Sequence, residues 1–162
     1  MDDQQPEVTG RHGIVTPETR RSMSGLDFLA AIAAGRLPAA PIAAALRFRL
    51  VAVERGRAVF EGAPDLAFYN PIGSVHGGYA ATLLDSCMGC AVHSMLPAGR
   101  GYATLEFKIN LVRPMTAKTG TVRAEGRTLH LGRTTATAEG RLTDAAGKLY
   151  AHGTTTCAVF AV

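Results

Sequence analysis

Between Asp65 and Glu106 the chain carries a single acidic residue, Asp85. It sits inside His76–Leu96, a stretch with no internal proline that Pro97 and Gly99 close. That length exceeds a strand and predicts one long helix. Its apolar residues, Tyr79, Leu83, Leu84, Met88, Val92 and Met95, fall on nearly all sides. A helix apolar all round must be surrounded by other elements rather than lie on a surface. A carboxylate on such a helix is costly to bury and needs a reason.

The flanking segments supply the surround. Leu46–Glu54 and Arg57–Gly62 read as two strands of a hairpin turning at Arg55-Gly56. Ala63–Ser74, with Pro64, Pro71 and Gly73, reads as a loop leading into the helix. Four strands follow it: Tyr102–Val112, Thr119–His130, Arg133–Thr143 and Lys148–Phe160, separated by short turns and rich in Thr and Val. Ala103, Leu105, Phe107, Ile109 and Leu111 alternate with Thr104, Glu106, Lys108 and Asn110. The expected class is α+β, an antiparallel sheet curled around one long central helix. Upstream, residues 1–23 read as a disordered tail, and Ser24 is a candidate cap for a helix over Gly25–Ala34. Residues 24–45 are then a helix and a proline-rich connector, and 46–162 the main domain.

Asp85 shares a helix face with Gly78, Ala81 and Gly89 at 100° per residue. Every neighbour on that face is small, which reads as room for a ligand beside the carboxylate. The start of the helix at Gly77-Gly78 offers backbone N–H groups to an anion. Taken alone, an acid on a helix is equally an exposed residue or one tied to a backbone group. The small-residue stripe and His76-Gly77-Gly78 favour a site.

In this order and spacing, Asn70, His76-Gly77-Gly78 and Asp85 resemble the signature of hotdog-fold acyl-CoA thioesterases, in the PaaI-like (phenylacetate-pathway) branch. His-Gly-Gly alone is a weak motif; with an Asn before it and an acid after it at this spacing, it is specific. The resemblance runs over residues 46–162, and Thr104–Pro114 is similar to the strand that follows the helix in that family. It implies that Asp85 is the catalytic carboxylate, as general base or nucleophile, and that the Gly77 N–H is the oxyanion donor. It further implies that Asn70 positions water or substrate, that Thr104 helps hold the water, and that His76 shapes the loop. It implies a site between two copies of the chain, hence a homodimer and a dimer of dimers. The substrate is then an acyl-CoA with an aromatic or medium-chain acyl group.

CoA phosphates need a cationic or polar contact. The resemblance points to Arg133 and Thr134 near the Leu131-Gly132 turn, with His130 and Gly78 as further substrate contacts. The alternative is an ordinary solvated strand edge. Two other functions fit the same fold: a hotdog protein that binds acyl-CoA without hydrolysing it, and a hotdog enoyl-CoA hydratase or dehydratase. The second wants a His general base in a different pattern.

Other classes are disfavoured. A net charge of +4 with no Trp and no basic cluster gives no nucleic-acid footprint. Cys87-Met-Gly-Cys90 lies mid-helix without a second ligand pair, so it reads as packed thiols rather than a metal or redox centre. No G-K-[ST] phosphate loop and no nucleophile elbow is present. The expectation is no metal and no cofactor, CoA being part of the substrate. Three cysteines and the lack of an apolar leader or span point to the cytoplasm and away from a membrane.

Overall fold

The computed structural model describes residues 11–162, so the first ten residues of the expected tail lie outside it. The rest of that tail is not irregular. Pro17–Ser22 forms helix α1, started by Pro17 and capped by the Thr16 side chain, which accepts from the Thr19 N–H. The Gly99 N–H donates to the Arg21 carbonyl at 3.0 Å and ties α1 to the main body. Helix α2, Gly25–Ala33, starts where the Ser24 side chain accepts from the Asp27 N–H. The connector also holds a short helix, α3, Pro41–Ala45.

Strands β1 (Phe48–Glu54), β2 (Arg57–Gly62), β3 (Arg100–Leu111), β4 (Val122–Leu131), β5 (Thr135–Asp144) and β6 (Leu149–Ala161) form one sheet. The order is β1-β2-β4-β5-β6-β3, and every pairing is antiparallel. The long helix α4, Gly77–His93, packs against all six strands. This is the hotdog arrangement. Leu83, Leu84, Met88 and Val92 of α4 are fully buried in one cluster with Ala58, Val122 and Leu142 of the sheet. Truncating one such leucine to alanine costs about 2–5 kcal/mol. Among the described residues no helix is long and apolar enough to cross a membrane.

Two features set how α4 sits. Gly126, Gly140 and Gly153 pair directly across β4, β5 and β6, forming a bare row beneath the helix. A Cβ on Gly126 would stand 2.2 Å from the Cys87 carbonyl oxygen, and one on Gly140 2.9 Å from Met88 Cγ. Gly126 and Gly140 therefore let the helix approach the sheet, whereas a Cβ on Gly153 would stand 2.5 Å from the Lys108 carbonyl oxygen of β3.

The second feature is a bulge in edge strand β3, between Thr104 and Glu106. The Thr155 hydroxyl, itself buried, donates to the Glu106 carbonyl at 2.7 Å and holds the kink. A bulge reverses which residues face inward. Tyr102 and Thr104 face α4 before it; Ile109 and Leu111 face inward after it. The unbroken alternation read from the sequence is thus split. Leu105, Phe107 and Leu111 remain 64%, 42% and 59% exposed.

Candidate active site

Gly77, Asp85 and Gly89 lie along the α4–β3 seam. Asp85 is partly buried at mid-helix, and the Thr104 hydroxyl donates to its Oδ1 at 3.0 Å. That bond orients the carboxylate and leaves Oδ2 without a hydrogen bond among the described residues. One turn on, the expected gap at Gly89 is filled. A Cβ there would lie 2.7 Å from Tyr102 Oη, so the glycine admits the tyrosine ring from β3 rather than a ligand. Gly78 likewise accommodates a neighbour: its Cβ would meet His76 Nδ1 at 2.9 Å. At Gly78 and Gly89 the stripe thus takes close neighbours of its own chain.

Tyr102 was not anticipated. It stands two residues before Thr104 on the same face, which is the signal that finds it. Burial pushes its hydroxyl pKa well up, with added upward pressure from Cys90 and Asp85. Burial also raises the Cys87 thiol, and raises Cys90 to about 12. All three cysteines are free thiols.

At the helix start, His76 is the N-cap. Its Nδ1 accepts from the Gly78 N–H at 2.9 Å, and its own N–H donates to the Phe68 carbonyl at 2.7 Å. The Gly77 N–H has no partner among the described residues, so it is the donor left free at this positive helix end. Asn70 organises the preceding loop: its Oδ1 accepts from Ile72 and Ser74 N–H at 3.1 and 3.3 Å, and its Nδ2 donates to Ser74 Oγ at 3.1 Å. Asn70 and Gly77 line a cavity of about 220 Å³ closed by Leu111, Arg113 and Tyr150. Asp85 does not line it.

One helix carries both groups, yet they are eight residues apart, about 12 Å at 1.5 Å per residue. A single thioester carbonyl cannot touch the Asp85 carboxylate and the Gly77 N–H of the same chain.

His130, Arg133 and Thr134 are exposed at the β4–β5 turn. Arg100 donates to the Arg133 carbonyl at 2.6 Å, and Val159 N–H to the Thr134 carbonyl at 2.9 Å. This turn is thus held at the start of β3, whereas Leu111 by Gly77 is at its end. The separation is roughly 35 Å along the strand. Within one chain the turn is nearer to Asp85 than to Gly77.

Comparison with known proteins bears on the family and the fold. Residues 72–151 match the family model described as the thioesterase superfamily. A solved structure from Ralstonia eutropha JMP134, described as a phenylacetic acid degradation-related protein, is 29% identical with a TM-score of 0.73, covering 81% of this chain and 98% of that one. A Streptococcus mutans UA159 protein solved bound to acetyl CoA is 30% identical with a TM-score of 0.64, covering 70% of this chain and 89% of that one. A Halobacterium salinarum protein named as an inferred esterase is 38% identical over 69 residues, which are 41% of this chain. The match spans only 44% of that relative's length. With the matched segment running from the loop before α4 through the sheet, the chain belongs to the hotdog-fold acyl-CoA thioesterase superfamily, in its PaaI-like branch.

Proposed function

We propose that this protein hydrolyses an aromatic or medium-chain acyl-CoA to the free acid and CoA, in a site completed by a second copy of the chain. The observation that carries the reading is the pair of groups on α4. Asp85 is an oriented carboxylate, and Gly77 presents a free N–H about 12 Å away along the helix. Each is half of a hydrolytic site. The exposed apolar residues of edge strand β3 lie beside both halves, and an unpaired strand edge of that kind pairs readily with another chain. Two copies joined there bring the Asp85 of one toward the Gly77 loop of the other. A dimer of dimers is the expected assembly and the cytoplasm the expected location.

The chemistry follows from the parts. Asp85 takes a proton from water as the water oxygen attacks the thioester carbon. The carbonyl oxygen gains negative charge, and the Gly77 N–H from the second copy stabilises it. Collapse of the tetrahedral intermediate breaks the carbon–sulfur bond. CoA leaves as the thiolate and recovers the proton from Asp85. Thr104 holds the base in place, while Asn70 and His76 fix the loop that presents Gly77. A thioester is already activated, so the reaction requires no metal or redox cofactor. Arg133, Thr134 and His130 are the contacts assigned to CoA, with Gly78 beside the reacting end.

The test is Asp85→Asn against a panel of acyl-CoAs with a free-thiol assay. The expected loss of kcat is roughly 10²–10⁴-fold, the usual worth of a positioned base, with the fold retained. Undiminished hydrolysis by that variant overturns the assignment.

A further inference from the structure

A second cavity lies away from Gly77. It measures about 350 Å³ and lies at the other end of α4, between the N-terminal helices and the start of β3. Arg20, Arg21 and Arg100 stand around it, and Phe28, His93 and Tyr102 form its aromatic wall. We propose that this cavity binds a carboxylate carried on a small apolar or aromatic body.

The cavity is built, not incidental. The α2 start is seated on the C-terminal end of α4: the Gly25 N–H donates to the Leu96 carbonyl at 3.0 Å, and a Cβ on Gly25 would collide with the His93 carbonyl. His93 sits between Phe28 and Tyr102, with ring centroids 5.4 and 5.5 Å away. Burial lowers the His93 pKa, so the wall is a row of uncharged rings.

Charge selects the ligand's other end. Among the described residues no Asp or Glu side chain lines the cavity, Val162 is at its edge, and none of its three arginines forms an ion pair. Arg100 is anchored on the Arg133 carbonyl, whereas Arg20 and Arg21 project from α1 at the surface. The last carbonyls of α4 carry partial negative charge. They repel an anion from the floor and leave the rim arginines as its partners. The apolar body then lies on Phe28, His93 and Tyr102. The volume falls at the lower end for a small-molecule site.

Residues 17–28, which supply much of this cavity, lie outside the segment matched by the family model. Two sources present the required chemistry: a free acid, or the far end of an acyl group still attached to CoA. The second source rests on the hydrolase reading; the first does not.

The probes are benzoate and its neutral counterpart benzamide, titrated into the full chain by calorimetry and NMR. Benzoate is expected to bind at least tenfold more tightly than benzamide and to shift the ring signals of Phe28, His93 and Tyr102. Arg20→Gln/Arg21→Gln is expected to weaken benzoate at least tenfold while benzamide binding holds. Both positions are exposed, and melting checks the fold. If that variant melts early, rising salt must still weaken benzoate selectively in the unmodified protein. Equal affinity for the two probes, unshifted rings, or affinity unchanged in the variant overturns the proposal. So does displacement of benzoate by adenosine 3′,5′-bisphosphate, which assigns the cavity to a nucleotide.

Suberyl-CoA against octanoyl-CoA separates the sources. A KM at least tenfold lower for suberyl-CoA, lost in the double variant, identifies the acyl end; equal KM values with benzoate bound identify a free acid. Benzoate binding without turnover of any thioester defeats the hydrolase reading and leaves the cavity assignment standing.

Discussion

At the β1 end of the sheet, charged side chains are matched across neighbouring strands. Glu61 holds Arg49 and Arg123 at 3.3 and 3.2 Å. Glu125 holds Arg57 and Arg127 at 2.8 and 2.7 Å, and Arg57 also reaches Glu54 at 3.0 Å. At the β3 end the outermost strand shows water Leu105, Phe107 and Leu111. Exposed pairs contribute little to stability, at most about 1 kcal/mol each. Their effect is to keep that region solvated and single. An apolar edge does the opposite and invites a partner strand. The candidate catalytic groups all lie on the inviting side: Leu111 beside Gly77, Thr104 on Asp85 and Tyr102 on Gly89.

The sharpest way to break this contrast is to make the β3 edge resemble the other. Leu105→Glu/Phe107→Lys should yield a monomer by sedimentation. Hydrolysis should fall by ~10³-fold, at least the worth of an oxyanion donor. An associated, active double variant would sever assembly from the site. Next is the donor itself. Proline is tolerated at the first helical position and has no N–H, and His76 already has the extended conformation that a following proline demands. Gly77→Pro should lower kcat about a hundredfold. Gly77→Ala meets the same Leu111 contact but keeps the N–H, and it should lose far less.

A smaller effect is expected at Thr104→Val, which removes the hydroxyl on Asp85. A bond to a charged group contributes about 1.5–3 kcal/mol. A loss of kcat of about tenfold or somewhat more is expected, with KM little changed.

The smallest effect belongs to the charged side. The Arg57 hydrogen bond, opposed by burial and aided by Arg127, holds Glu125 below the ordinary carboxyl pKa. A depressed folded value means the stabilisation is present above the unfolded pKa and is lost as pH falls through the folded one. Glu125→Gln should therefore cost no more than about 1 kcal/mol at neutral pH. It should also flatten the acid limb of a melting curve measured below about pH 5.

How much of this was legible depended on range. The Arg55-Gly56 turn, with Gly56 at φ +76°, and the long helix are encoded by neighbouring residues, and both were readable. So was Asp85, conspicuous as a lone acid. The composition of residues 1–23 and of the connector reads as tail and linker, yet Pro17 and Pro41 each start a short helix there, α1 and α3. Gly89 was read as space because a small residue signals either a gap or a bulky neighbour, and only the fold supplies Tyr102. The glycine row was illegible for a related reason. Gly126, Gly140 and Gly153 meet through strand register, which no local pattern contains.

The bulge at Leu105 makes β3 two measuring sticks joined out of phase. Thr104 is counted inward from the Arg100 end and Leu111 from the far end, and the extra residue lets both counts end on α4. Delete Leu105 and the count from Thr104 to Leu111 becomes even, so a regular strand keeps the same β6 partners and holds both contacts on α4. Thr104 still meets Cys157, and Leu111 still meets Ala151. The bulge is therefore slack in the strand's length, and the two inward contacts are set by their β6 partners rather than by the number of residues between them.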